Sequence, residues 1–179
     1  MLKAGRFVVA HTANILLFLG PRLDLAPKDE AGRLWTHSLQ LSVSDFVVEI
    51  HDTHHPLGPS LYYEDQKKEA KKRAADFKKN RIPKFMGYFE QVLQQNPRKK
   101  GYMVGSKLSY VDLSMFQLVA GLHYAFPKAM KNARKRYPGL HALHDRVSEH
   151  ERVVEYLASE RRIPFNTEGI FRYYPELDG

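Results

Sequence analysis

Three histidines lie within five residues of the chain, at His51, His54 and His55. Their i, i+3, i+4 spacing puts three imidazole rings on one side of a helix, and imidazole is a ligand for zinc, copper and nickel. The glutamate of a His-Glu-x-x-His motif is absent, and the carboxyl end of a helix attracts histidines through its dipole without any metal. We therefore predict no bound metal, with metal binding as the minority alternative.

The basic residues could instead serve a polyanionic partner. Lysine and arginine total 28 against 20 acidic residues, which gives a net charge of +8. Clustered cations gain affinity for phosphates by releasing counterions. On the long predicted helix, however, they alternate with acidic residues and lie opposite an apolar stripe, as on a solvated face. Nucleic-acid binding is therefore only a minor alternative. The basic runs are Lys67-Lys68, Lys71–Arg73, Lys78-Lys79, Arg98–Lys100 and Lys131–Arg136.

Asp112 is a carboxylate with a clear structural explanation. Ser109 precedes it by three residues, which is the spacing of a capping box in which each side chain bonds the other residue's backbone amide. Leu108 and Leu113 can pack together as a hydrophobic staple around this box. The pattern predicts the start of a helix and not a catalytic acid.

Composition limits the chemistry further. The 179 residues contain no cysteine, which excludes disulfides, thiolate metal sites and a cysteine nucleophile. An apolar fraction of 43% is enough for the core of one domain. The longest apolar stretch, Ala13 to Leu19, is far shorter than the roughly 20 residues of a membrane span, and no signal peptide is visible. We predict a soluble, cytoplasmic protein.

The amino-terminal elements are short. Leu2 to Ala10 is predicted to be extended, with a turn at Gly5. Thr12 is predicted to cap a helix that ends at Gly20-Pro21 and is apolar on nearly every face. Such a helix needs to be covered on both sides.

The remaining pattern is helical. Apolar residues from Trp35 to Ile50 recur every three or four positions and predict a long helix ending near His54–Pro56. A second long helix begins near Tyr63 and is expected to kink or break at Pro83. The segment Leu113–Tyr124 is predicted to be the central helix. Two shorter helices, Leu140–Val147 and Val153–Leu157, precede an aromatic tail, Ile163–Leu177, expected to lie over the helices.

Four segments resemble the glutathione transferase family. Val9–Gly20 resembles the junction between the fourth strand and third helix of its thioredoxin-like domain, and Leu108–Asp112 resembles the capped core helix of its carboxyl-terminal domain. Tyr137–Leu140 and Arg162–Phe165 are similar to bacterial and fungal-type members. The resemblance implies a mainly all-α fold: a helical bundle of the glutathione-transferase C-terminal type, with a short amino-terminal remnant of the thioredoxin-like domain. Residues 1–26 would form the remnant and residues 27–179 the helical domain.

The resemblance also implies a glutathione site. In the family, an acidic or amide residue and then a hydroxyl residue hold the γ-glutamyl end of glutathione at this helix start, where free amides and the helix dipole favour a carboxylate. His11 and Thr12 fall on these two places. Thr12 keeps the hydroxyl, and a hydroxyl at this position can equally serve only as a cap. His11 departs from the family pattern. We carry binding and capping as equal alternatives for Thr12.

The implied activity is conjugation of glutathione to electrophiles, with a role in detoxification, glutathione as co-substrate and no metal. The family's catalytic Tyr, Ser or Cys and its cis-proline precede the segment matched by Met1, so the chain alone is expected to be weak or inactive. The rest of the domain would come from a partner, or the chain would be a truncated product or fragment. The alternative is a non-enzymatic helical protein-interaction module of the same fold.

The family's second substrate binds between the two domains, which implies candidates for an electrophile site. These candidates are Trp35, His37, Tyr62, Tyr63, Phe171 and Tyr174. Each is equally well explained as a core or interface residue. The resemblance further implies a homodimer that pairs through Thr12–Leu19 and Leu34–Ile50, with no membrane partner.

Overall fold

The chain begins with a small hairpin. The structure is a computed structural model, and it describes all 179 residues. Strand β1 (Leu2–Ala4) pairs antiparallel with β2 (Phe7–Val9), so that Leu2 lies opposite Val9. Gly5 turns the chain with a φ of 60°, a backbone conformation open to glycine because it has no Cβ. The predicted extended segment is therefore folded back on itself at the predicted turn.

Helix α1 (Thr12–Leu19) follows, and it ends as predicted at Gly20-Pro21, where a 3₁₀ turn continues to Leu23. The prediction that Thr12 caps this helix is wrong. His11 occupies the capping position and Thr12 is the first helical residue, because the chain turns at His11 with a φ of 62°. Within α1 only Ala13 is buried, so most of this apolar helix lacks full cover.

Helix α2 (Glu30–Asp52) is the longest element. The Asp29 carboxylate caps it by accepting from the Gly32 amide at 2.7 Å. One face is buried in the core, as the spacing predicted, through Leu39, Val43, Phe46 and Ile50. The opposite face leaves Leu34, Leu41 and Val48 exposed.

The second long helix is present but interrupted. A 3₁₀ turn (Tyr63–Gln66) leads into α3 (Lys67–Asp76), and a π-helical turn (Phe77–Arg81) joins α3 to α4 (Ile82–Gln95). The Ile82 amide reaches back five residues to the Phe77 carbonyl in this turn. The break lies directly before Pro83, as predicted, because proline has no amide to donate to the preceding turn.

Helix α5 (Tyr110–Ala125) is the central helix of the bundle and packs against α2 and α7. Helices α6 (Ala133–Arg136), α7 (Pro138–Ser148) and α8 (Glu151–Leu157) follow it. The chain is therefore mainly helical, as predicted. None of its helices combines the length and the hydropathy that a membrane crossing requires.

The aromatic tail lies over the bundle, as predicted, and ends in α9 (Pro175–Asp178). Phe171 is buried, and the Phe165 ring stacks on Tyr124 with centroids 4.9 Å apart. The buried Asp178 carboxylate accepts from the amides of Lys128 and Ala129 at 2.7 and 3.1 Å. These contacts fix the tail to the last turn of α5 and to the connection between α5 and α6.

Candidate functional site

The amino end of α1 has the geometry of a carboxylate site. His11 and Thr12 are both exposed, and neither side chain caps the helix. The first intrahelical bond runs from the Ile15 amide to the His11 carbonyl at 2.9 Å, so the amides before Ile15 point out of the helix end. Free amides, a hydroxyl and the positive end of the dipole together can receive a carboxylate.

The backbone at His11 is strained. A φ of 62° with a ψ of 131° is sparsely populated for a residue with a Cβ. Such outliers persist where the surrounding structure imposes them, and they concentrate at binding sites. The strain directs the chain from β2 straight into α1, which leaves the first turn accessible.

Trp35 and His37 lie on different faces of α2. Trp35 is 44% exposed and lines a cavity of about 560 Å³ together with Pro27, Tyr88 and Val104. His37 is half-buried, and its Nδ1 is buried without a hydrogen-bond partner. Only Trp35 of the six electrophile-site candidates lines this cavity.

Three of the aromatic candidates form contacts between the tail and the helical bundle. The Tyr63 and Tyr174 rings stack with centroids 3.8 Å apart, and the Tyr63 hydroxyl donates to the Glu176 carboxylate at 2.9 Å. Burial raises the pKa of Tyr63, and the bond to Glu176 raises it further. Phe171 packs on the helix surface at Gly121, whereas Tyr62 is 78% exposed. The six candidates are thus spread over separate places and do not line one cavity.

A larger apolar groove, which the sequence did not predict, lies on the helical bundle. Its volume is about 680 Å³, and it lies between the loop after α1, the start of α5 and helix α8. The available signal was the apolar side of Val153–Leu157 together with the Leu108 and Leu113 staple pair, but nothing in the sequence brought the two together. The apolar lining is Leu23, Leu25, Leu108, Leu113, Phe116, Val153, Tyr156 and Leu157.

The capping box at the start of α5 is confirmed. The Asp112 carboxylate accepts from the Ser109 amide at 2.7 Å, the Ser109 hydroxyl at 2.6 Å and the Met103 amide at 2.7 Å. Burial raises the pKa of Asp112 to about 6, although these three donors act to lower it. The carboxyl group joins the helix start to the preceding loop, which is a structural role.

A histidine pair between α5 and α7 was also missed, because 18 residues separate its members. His141 Nδ1 lies 2.8 Å from the Tyr137 carbonyl, which can only accept, so the His141 proton is on Nδ1. His123 Nε2 can therefore donate to His141 Nε2 at 2.9 Å. Burial lowers the pKa of both imidazoles, as does their proximity to the cation Arg134.

Solved structures define the class of this fold. A Pi-class glutathione S-transferase of Onchocerca volvulus superposes with a TM-score of 0.65 at 18% identity, covering 85% of this chain and 65% of that one. A monomeric glutathione S-transferase of the hookworm Necator americanus gives 0.63 at 17% identity, covering 88% and 71%. The fold is that of glutathione S-transferases, with a helical carboxyl-terminal domain.

Sequence comparison gives the family. Residues 51–160 match the family profile described as the C-terminal domain of glutathione S-transferase. This chain belongs to the glutathione S-transferase family. A glutathione S-transferase of Plasmodium yoelii yoelii is 24% identical over 90% of this chain and 68% of its own length, and that of Plasmodium falciparum is 23% identical over 90% and 70%. The resemblance inferred from the sequence is therefore confirmed.

Proposed function

We propose that this protein conjugates the thiol of glutathione to small electrophiles when a complete glutathione-binding domain is available. Family membership over residues 51–160 is the observation that carries the proposal. On this view residues 1–26 are the last part of the thioredoxin-like domain and residues 27–179 are the helical domain. The hairpin, the helix α1 and the helical bundle occur in the order that this division requires.

The proposed glutathione contact is the start of α1. The γ-glutamyl carboxylate would accept from the exposed first-turn amides and from the Thr12 hydroxyl. His11 would lie beside the ligand's ammonium group, where a neutral imidazole can accept a hydrogen bond but a protonated one repels. The Thr12 hydroxyl makes no capping hydrogen bond in α1, which supports the binding alternative over the capping one.

Of the steps in the proposed reaction, activation of the glutathione thiol has the least support from the residues of this polypeptide. Lowering the thiol pKa needs a donor that stabilises the thiolate. The Tyr63 hydroxyl already donates to Glu176, and the Tyr110 hydroxyl is buried without a partner, where burial raises its pKa to about 12. The Tyr110 ring lies against Gly20, at the carboxyl end of α1 and not at its start. We therefore expect the 179 residues alone to bind glutathione weakly and to turn over chlorodinitrobenzene slowly or not at all.

Calorimetric titration of the chain with millimolar glutathione tests the binding. The Thr12→Val variant removes the hydroxyl at constant volume and should weaken binding, by about 0.5–1.5 kcal/mol for one hydrogen bond. Thr167→Val, which alters another exposed threonine, should bind like wild type. If the wild-type chain binds no glutathione at millimolar concentration, the proposal fails for this chain.

The second candidate function is a non-enzymatic interaction module, and the apolar groove favours it. Tyr156 is 42% exposed in the wall of this groove, so that an apolar partner surface could cover it. A partner complex that Tyr156→Glu disrupts, and that forms without glutathione, would support this function. Val154→Glu is the matched control, because Val154 is 49% exposed on the same helix but does not line the groove. Equal loss of the complex in both variants would count against a groove-mediated complex.

A further inference from the structure

A compact group of three imidazoles is present at the carboxyl end of α2. His51, His54 and His55, the triple-histidine cluster, each offer one ligand nitrogen, and these nitrogens all lie within 4.8 Å of one another. The amides of His54 and His55 both donate to the His51 carbonyl, at 3.1 and 3.2 Å. The helical turn therefore continues past Asp52 and holds the three rings on one side, as their spacing predicted.

The tautomer of the buried member is fixed from outside the cluster. His54 Nε2 lies 2.9 Å from the Ile170 carbonyl of the tail. Because a carbonyl only accepts, the His54 proton is on Nε2 and the lone pair is on Nδ1. This is the outer hydrogen bond that metal-ligating histidines usually make, and it aims the free nitrogen at the other rings.

The free nitrogen of His54 meets another imidazole nitrogen. His54 Nδ1 lies 2.6 Å from His55 Nδ1, and the His51 ring is 5.0 Å from the His54 ring and 5.1 Å from the His55 ring between centroids. In the metal-free chain one proton, carried by His55, bridges the two Nδ1 atoms. Two nitrogens bound to a tetrahedral zinc at about 2.0–2.1 Å each are separated by about 3.3 Å. A small opening of the rings would therefore admit an ion between them.

We propose that the triple-histidine cluster binds one divalent transition-metal ion of the zinc, copper or nickel class, with its three imidazoles as the protein ligands. Water completes the coordination on the open side, where His51 and His55 are only partly buried. The His55 proton moves from Nδ1 to Nε2 when the ion binds. All three rings remain neutral, and the step requires no other reactant. This inference departs from the sequence-based prediction of no metal, because the structure adds the fixed tautomer and the close approach.

The charges around the cluster act in both directions. Asp52 lies 3.7 Å from His51 Nδ1, and Glu64 acts on His55 as a second anion. Arg172 is the opposing cation and repels a positive charge at His54 and His55. A second cation, Arg73, lies 3.9 Å from Asp52, so two cations and two carboxylates surround the cluster and the three imidazoles carry the binding.

Calorimetric titration with Zn²⁺ tests the proposal on the full chain after chelator treatment and without glutathione. We expect one saturable site per chain. His51→Gln and His55→Gln should each weaken it on the order of tenfold or more, the range seen when a metal site loses supporting contacts. His150→Gln, which removes an exposed histidine elsewhere, should leave the affinity unchanged.

Thermal unfolding provides an independent readout, since an ion that binds only the folded chain raises the melting temperature. Zn²⁺ should raise it in wild type and in His150→Gln, and much less in the two cluster variants, whose side chains have no hydrogen bonds outside the cluster that would affect folding. Absence of a saturable site in wild type overturns the proposal, as does unchanged Zn²⁺ affinity in both His51→Gln and His55→Gln. Neither result bears on glutathione binding, which is measured without metal.

Discussion

At the scale of single residues, Asp112 shows how a carboxylate in a helical protein can be mistaken for a catalytic acid. It is fully buried, its pKa is raised, and it lies beside a serine, yet all of its hydrogen bonds go to neighbouring residues of the same helix start and loop. A catalytic acid needs a free proton site that faces a substrate. Asp112 instead satisfies amides that would otherwise be buried without acceptors.

Removing this carboxylate should destabilise the fold. Asp112→Ala leaves the amides of Met103 and Ser109 without their acceptor, and we expect a loss of about 2–4 kcal/mol in the free energy of unfolding. Asp112→Asn keeps one acceptor oxygen and should lose less. Urea unfolding followed by circular dichroism measures both. Equal and small losses in the two variants would contradict the structural role.

The His123–His141 pair predicts a pH dependence. Burial lowers the folded pKa of each imidazole below its ordinary value of 6.5, so the folded state binds fewer protons than the unfolded state as the pH falls. The stability that the pair contributes is present above pH 6.5 and is lost as the pH falls toward the folded pKa values. His144 and Arg134 add to this shift, whereas Asp145 opposes it at His141.

His123→Gln isolates this contribution. Glutamine can still donate to His141 Nε2 but does not titrate. Lowering the pH from above 6.5 to below 6.5 should lower the melting temperature of both proteins. The decrease should be smaller in His123→Gln than in wild type. A drop of the same size would show that other groups cause the acid sensitivity.

At the scale of elements, the contact between the tail and α5 depends on a glycine. Gly121 lies directly under the Phe171 ring, and a Cβ at this position would overlap the ring. In Gly121→Ala we expect the displaced ring to cost about 1–3 kcal/mol, against a gain of up to about 1 kcal/mol in helix propensity. The tail should detach more often, which limited proteolysis by trypsin at Arg172 would detect as faster cleavage.

Gly87→Ala is the matched control for this experiment. Gly87 also lies within a helix, but nothing is within 4 Å of the position of an added Cβ. This variant should gain about 0.5–1 kcal/mol of stability and keep the tail protected. Similar proteolysis of the two variants would mean that Phe171 does not hold the tail.

The sequence predicted those features of the helices that depend only on residues close to one another along the chain. Apolar spacing predicted α2, Ser109 and Asp112 predicted the start of α5, and Pro83 predicted the break before α4. It did not predict that His11 would replace Thr12 at the start of α1, because a positive φ at a histidine is imposed by the chain on either side.

The candidate site was less predictable than the elements. The family resemblance suggested His11 and Thr12, whose role stays a prediction, but it gave no means of grouping the aromatic candidates. The apolar groove joins three segments that are far apart in sequence, and Tyr63 meets Tyr174 only through the path of the tail. Contacts of this kind depend on how helices pack and leave no periodic signal.

At the scale of the whole molecule, the exposed face of α2 predicts self-association. Leu34, Leu41 and Val48 are seven residues apart and between 48% and 61% exposed, so they form one apolar line along the helix. Helix α1, which lacks full cover, packs against α2. We propose that a second copy of the chain covers these two helices.

Leu41→Glu tests the dimer. The new carboxylate would lose its hydration in the dimer, which is unfavourable. The variant should therefore sediment as a monomer at concentrations where wild type is dimeric. Ile163→Glu is the control, because Ile163 is 71% exposed and belongs to the tail, not to α1 or α2. A monomeric wild type, or a Leu41→Glu variant that remains dimeric, would refute the proposed interface.

The π-helical turn between α3 and α4 has a consequence for the chain's tolerance of length changes. Along these helices the buried positions run 70, 74, 77, then 82, 86, 89 and 93, so one step is five residues where a regular helix would take four or three. Deleting Asn80 would shorten this step to four residues, so a regular α-helix could form with Ala70, Ala74, Met86 and Phe89 still on one buried face. Inserting one further residue would instead rotate α4 against α3 by about 100° and turn part of the buried face toward water. The π-helical turn thus absorbs one extra residue, and the chain should tolerate the loss of the exposed Asn80 better than the gain of a neighbour.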